Sequence, residues 1–227
     1  MPKPSRFLIP ALGAGALLVC TATAALATTI SSGGAPYNGD VVATNINPTK
    51  LSGNGPGVGL ITTTCTSTTL TATVVSNGSS GSLKGVTLSG CTNNYGGSDT
   101  ITAIGLPYTG GSATYAPVSG GRDGYLTINA PNPAVDIKAV LHLTSLGRTE
   151  TCHYGLTTTT PLTISLFNKT NPARPDTTNN HGQGELKGQS LQKISNPENT
   201  SGCPASASAN GKFQLLTPGG ADLVLGP

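Results

Sequence analysis

The chain has 227 residues, of which 36% are hydrophobic, only 9% are charged and none is Trp, and its formal net charge is +3. Charges that sparse and scattered exclude a surface for nucleic acid or an anionic membrane, both of which need clustered Lys and Arg. Ser, Thr, Asn and Gly are left to carry solubility, a composition suited to an extracellular β-protein.

Lys3 and Arg6 open the chain, an apolar or small run extends from Phe7 to Ala27, and Ala25-Leu26-Ala27 ends it with an A-x-A pattern. This is the three-part pattern of a secretory signal, with cleavage predicted after Ala27. The run is long enough for a bilayer-spanning anchor, but Pro10, Gly13, Gly15, Thr21 and Thr23 interrupt it. A lipoprotein reading through Cys20 meets Val19 where a small residue is wanted. No twin-arginine pair is present, so the general secretion route is expected. Residues 1–27 are assigned as a signal peptide, with no stable membrane anchor after cleavage. Losing Lys3 and Arg6 brings the formal charge from +3 to about +1.

Residues 28–39 are small, polar and terminal, and read as a flexible segment. A single β-domain is expected over 40–227. Val41–Ile46 reads as a first strand, Gly53–Gly59 as a break, and Leu60–Thr64 and Thr68–Ser76 as further strands. Within the last, Leu70, Ala72, Val74 and Ser76 alternate with Thr71, Thr73 and Val75, the period of a half-buried strand. Asn77–Gly81 is a turn signal, and Ser82–Cys91 runs back as the second arm of a hairpin, with Leu70 in register near Val86 or Leu88. Thr100–Ile104, Tyr125–Asn129, Val135–Leu143, Thr149–Gly155 and Leu162–Phe167 follow, the third and fourth forming a hairpin around Ser145 and Gly147. Gly120–Gly124 reads as a tight turn. Residues 168–184, with Pro172 and Pro175, form a long loop of the kind that is functional or mobile. Leu186–Ile194, Lys212–Leu216 and Asp222–Leu225 complete the set. Short strands at this spacing predict an all-β, antiparallel β-sandwich, with a closed β-barrel as the alternative.

Four cysteines follow the signal: Cys65, Cys91, Cys152 and Cys203. In an exported chain they read as disulfides, and of three pairings Cys65–Cys91 with Cys152–Cys203 is favoured because each closes a local loop. The first bridge would join the open ends of the hairpin. A metal site is not expected, since there is no C-x-x-C and His153 adjoins Cys152 directly. No cofactor is expected, because no glycine-rich turn precedes a helix.

Catalytic signals are equally thin. No G-x-S-x-G occurs, His142 lies in an alternating strand, and the acids show no paired spacing. The candidate ligand surface is therefore built from Tyr108, Tyr115 and Tyr125, with His181 in the long loop near Arg174 and Asp176. The missing Trp weakens a glycan-stacking reading without removing it.

Cys65–Leu70 (CTSTTL), Gly85–Cys91 (GVTLSGC), Gly105-Leu106-Pro107-Tyr108-Thr109 and Cys152-His153-Tyr154 together resemble a group of small exported actinobacterial proteins of uncharacterised function. These share a cysteine-bracketed hairpin and a Gly-Leu-Pro-aromatic segment. The similarity spans Val41 to Gly155. The chain departs from the group in carrying Tyr108 where Trp is commoner and in lacking a twin-arginine signal. The resemblance implies export and β-structure and carries no catalytic residue. The expected function is a secreted, non-enzymatic protein, structural or interaction-mediating at the cell surface or in the medium. An extracellular ligand- or glycan-binding module is the alternative, and a secreted hydrolase the third reading.

Overall fold

The computed structural model describes residues 27–227, so the signal assignment up to Leu26, and Cys20 within it, lie outside the described residues. The described chain is all β, with one 3-10 turn at Thr144–Leu146. Its strands are β1 (Thr29–Ser32), β2 (Ala35–Pro36), β3 (Gly39–Asn45), β4 (Thr49–Gly55), β5 (Gly59–Val74), β6 (Gly81–Asn93), β7 (Asp99–Ile104) and β8 (Tyr108–Tyr115). They continue as β9 (Gly124–Ile128), β10 (Asn132–Leu143), β11 (Arg148–Leu156), β12 (Leu162–Phe167), β13 (Gln183–Lys193), β14 (Ser206–Leu216) and β15 (Leu223–Gly226).

The main sheet closes on itself as an eight-stranded antiparallel barrel, so the realised architecture is the barrel and not the two-sheet sandwich. Seven positions are β5, β6, β8, β9, β12, β13 and β14, and β3 and β4 share the eighth end to end. Each of these two strands pairs with β5 on one side and β14 on the other. Beyond the ring, β11, β10 and β7 continue the sheet from the far half of β13, starting at Tyr154↔Lys193. A bridge between Thr92 and Ser98 brings this extension back towards β6. A small sheet of β15, β1 and β2 covers one end, where Ile30 and Leu225 pack with Val41, Val74 and Ala113.

The first hairpin forms as its pattern predicts. Leu70 stands opposite Val86, Cys65 opposite Cys91, and both expected disulfides are present. The Cys65 and Cys91 Cα atoms are 3.9 Å apart, closer than the usual disulfide range of about 4.4–6.8 Å, because the two residues are direct cross-strand neighbours. One feature of the hairpin is invisible in sequence. Ile61, Thr63 and Cys65 face inward, but so do Thr68, Leu70 and Ala72, so parity flips on β5. It flips on β6 as well, between Cys91 and Leu88, and the register holds through this corner from Thr63↔Asn93 to Thr71↔Gly85, shifting only at a bulge after Thr71. Gly90 makes this corner possible: its φ is +60° and an added Cβ would stand 2.2 Å from the Thr66 hydroxyl oxygen.

Several expectations are corrected. Residues 28–39 are not a loose segment: β1 pairs with β15 from Thr29↔Gly226 to Ser32↔Leu223, and Thr28 Oγ1 accepts the Tyr115 N–H at 3.0 Å. The runs at Leu60–Thr64 and Thr68–Ser76 belong to one strand, β5. The expected break at Gly53–Gly59 begins inside β4, and β8 falls where no strand was predicted. These strands are rich in Gly, Ser and Thr, and pairing along both edges holds them where side chains offer little. The loop at 168–184 ends sooner, since β13 starts at Gln183, and its own side chains order it. The fully buried Gln183 donates to the Asp176 carbonyl at 2.6 Å, and Asn171, Asp176 and Asn179 each accept a backbone N–H two residues on. Asn168 locks β15 by donating to the Leu225 carbonyl at 2.9 Å and accepting its N–H at 2.8 Å.

Gly78 has φ +76°, and a Cβ there would lie 2.3 Å from the Ala113 carbonyl oxygen. Gly78→Ala should cost more than about 1 kcal/mol, read as a lower urea midpoint. Ser80→Gly, at the non-glycine residue of the same turn with φ 55°, should be neutral or stabilising. The Cys152–Cys203 bridge spans 51 residues, for which the chain-entropy model gives about 4 kcal/mol. In Cys203→Ala, hydrogen exchange should rise first over residues 194–205 and leave the β5–β6 hairpin protected.

Candidate functional site

The inward faces of the barrel strands carry Leu, Ile, Val and Ala almost throughout. Leu51, Leu88, Ile137 and Leu191 point inward and pack beside the core, yet each is only half-buried. The reason is a cavity of about 340 Å³ that runs through the barrel. At its capped end the wall is Ile30, Leu223 and Leu225, and at its middle Leu70, Ala72, Leu83, Val86 and Leu126. Its far end approaches the cluster around the two disulfides, where Ile61, Ile101, Leu141 and Tyr154 stand.

Two magnitudes bear on this space. Left empty, an apolar cavity of about 340 Å³ would cost on the order of 8 kcal/mol at roughly 24 cal/mol per Å³. That rivals the total stability of an ordinary domain, about 5–15 kcal/mol. The volume also falls within the range of small-molecule pockets, about 300–1,000 Å³.

The wall carries no charge. No Asp, Glu, Lys, Arg or His lines the cavity among the described residues. Burial, reinforced by the negative charge of Glu150, pushes the Tyr154 phenol far above its ordinary value, so it stays neutral. Most polar wall groups are spent on the protein itself. Thr63 donates to Asp99 at 2.6 Å, Thr73 to Asp40 at 2.9 Å, and the Ser52 and Ser208 hydroxyls meet at 2.9 Å. Among the fully buried wall hydroxyls two are not: Thr49 Oγ1 and Thr68 Oγ1 have no hydrogen-bond partner. Outside, the same strands carry Thr62, Thr64, Thr69 and Thr71, each half-buried, and the exposed Thr87. This polarity is the reverse of a membrane-spanning barrel, whose outer face is apolar. No helix among the described residues is long and apolar enough to cross a membrane.

The tyrosines do not form one ligand surface. Tyr108 is 2% exposed, and its hydroxyl lies 2.6 Å from the Asp136 carbonyl oxygen and 2.8 Å from that of Ile104. It pins the loop after β7 to β10, and the residue also lines the cavity. Tyr115 lies on the inner face of β8, against the cluster under the cap. Tyr125 sits opposite Thr114 on the outer face of β9, with the Arg122 guanidinium 5.4 Å above its ring. His181 is held by its own loop and by Asp222 at 3.1 Å, away from Arg174 and Asp176 as partners.

No histidine is set up as a base. His153 is buried between two carboxylates, its Nδ1 at 2.8 Å from Asp136 and its Nε2 at 3.4 Å from Glu198. Lys138 closes the cluster by pairing with Glu198. Both ring nitrogens are thus occupied, and no Ser or Thr hydroxyl is hydrogen-bonded to an imidazole among the described residues. The cluster joins the β13–β14 loop to β10 and β11, as does the buried Glu150, which accepts from Thr200 and from the Gly202 N–H and pairs with Arg148. Among the described residues no group of three His, Cys, Asp or Glu side chains is placed to hold a metal ion. Sequence reasoning missed the cavity itself. The inward alternation of Leu70, Ala72 and Val74 was legible, but nothing in it says that facing side chains fail to meet.

Compared with known protein families, characterised proteins and solved structures, the chain matches none.

The loop that carries His181 yields a pH prediction. Burial raises the Asp222 carboxyl pKa, but the Gly182 N–H, His181 and Lys169 together outweigh it and hold the pKa below its ordinary value of 3.8. A depressed carboxyl pKa adds stability above the unfolded value, and that stability is lost as pH falls through the folded one. Wild type should therefore exceed Asp222→Asn in thermal midpoint at neutral pH, with the gap closing below about pH 3.8. A gap independent of pH would refute the assignment.

Proposed function

We propose that this protein is a secreted, non-enzymatic binding protein that holds a small apolar molecule inside its barrel. The observation that carries the reading is the cavity of about 340 Å³ with its uncharged, apolar wall. The space is too large to leave empty without heavy cost, and no catalytic constellation adjoins it. Secretion is supported by the signal read at residues 1–27 and by two disulfides, which mark an oxidising compartment. A purely structural role offers no reason for a barrel to keep such an interior. A glycan-binding face has less support, because Tyr108, Tyr115 and Tyr125 point to three different surroundings.

The test is binding of a neutral, environment-sensitive dye such as Nile red to the secreted protein after organic extraction, with native mass spectrometry of the unextracted protein alongside. Wild type should bind the dye and enhance its fluorescence, and the unextracted protein should carry extra mass. Ala72→Phe, which places a ring in the cavity, should keep the β-type circular dichroism spectrum and weaken dye binding at least about tenfold. Undiminished binding by this variant, or no binding by wild type, would overturn the reading.

A further inference from the structure

We infer that the molecule held in the barrel is an uncharged lipid with one hydrogen-bonding group, a long-chain or alicyclic alcohol or ester, whose polar group is met by Thr49 and Thr68. This rests on the carrier reading and narrows the chemistry of the same site. The first ground is electrostatic. A fatty-acid carboxylate drawn into this cavity would lose its hydration and meet no cation, because no Lys, Arg or His lines the wall among the described residues. An alcohol or ester bears no such penalty and needs only one hydrogen bond.

The second ground is the pair of orphaned hydroxyls. Native proteins seldom leave buried polar groups unpaired, and such groups point to a missing partner. Thr49 and Thr68 are 3% and 2% exposed, both line the cavity, and neither Oγ1 has a hydrogen-bond partner. They flank one place in the wall. Thr49 opens β4 opposite Cys65, and the Thr68 N–H donates at 2.8 Å to Asn45, the last residue of β3. Between Asn45 and Thr49 the shared barrel position passes from β3 to β4, and the two threonines lie on either side of that junction, Thr49 opposite Cys65 and Thr68 beside Asn45. Neither hydroxyl is itself exposed to the cavity, and a χ1 change of about 120° exchanges each with its own methyl. Thr63 and the Ser52–Ser208 pair are already engaged, and among the fully buried hydroxyls of the described wall only Thr49 and Thr68 lack a partner.

Displacement of Nile red by hexadecanol, palmitate and hexadecane at neutral pH tests the inference on wild type and on Thr49→Val, Thr68→Val and the double variant. Hexadecanol should bind wild type at least about tenfold tighter than palmitate. The double variant should lose about tenfold in hexadecanol affinity, the equivalent of one hydrogen bond, and keep its affinity for hexadecane. Its unliganded form should melt at a higher temperature than wild type, since the valines remove unpaired hydroxyls at nearly constant shape. Palmitate binding as tightly as hexadecanol, in wild type alone, would overturn the inference, as would unchanged hexadecanol affinity in the double variant. Hexadecane binding without alcohol preference would sink this inference and leave the carrier reading standing, whereas failure of every apolar probe would remove both.

Discussion

Backbone pairing of β14 with β3 and β4 is the constraint on which the rest of the structure depends. These strands lie at opposite ends of the chain, and their hydrogen bonds, from Leu216↔Val42 to Ser208↔Ser52, close the ring. Without that closure β5 and β14 would each expose an unpaired ladder, the usual route to aggregation. With it, strands poor in large side chains are held along both edges. This is why β4, β8 and the first half of β14 are strands despite their Gly, Ser and Thr content. Closure also dictates the fate of the termini. Once the ring is complete its end must be covered, and β1 and β15 do so together, placing Ile30 and Leu225 over Val41 and Val74.

The interior follows from closure combined with composition. A ring of eight strands has room for side chains at its centre, and here most of those available are Leu, Val, Ile and Ala, with no Trp. They line the space without filling it. The core therefore divides into clusters at the two ends and the waist, with a cavity threading between them. Stability lost at the centre is offset at the far end. Both disulfides stand there, and buried carboxylates bind the adjoining segments: Asp99 accepts from Thr63 and Asn93, and Glu150 from Thr200 and Gly202. A rigid far end and a hydrogen-bonded cap thus enclose an apolar, unfilled middle.

Much of this was legible in the amino-acid sequence by itself, and what was legible is local. Asn77–Gly81 determined a turn, the alternation of Leu70, Ala72 and Val74 determined a strand with one apolar face, and these two facts determined that Cys65 would meet Cys91. The second bridge then followed by elimination. Each of these inferences needs only neighbours within about one hairpin. What the tertiary structure alone decided is long-range. Closure joins β14 to β3 across most of the chain, and no periodicity records which edge a strand will find. The parity change at Thr66 and Gly90 arises because the sheet must bend to close, and the order of β1 arises because β15 arrives beside it. The cavity is the furthest from sequence of all. A strand's pattern says which side chains face inward, but a void is a property of distances across the ring, set by strand number and tilt rather than by any one residue. Thr49 and Thr68 show the same limit: in sequence they are two threonines among many, and only the closed barrel leaves their hydroxyls buried and unpaired.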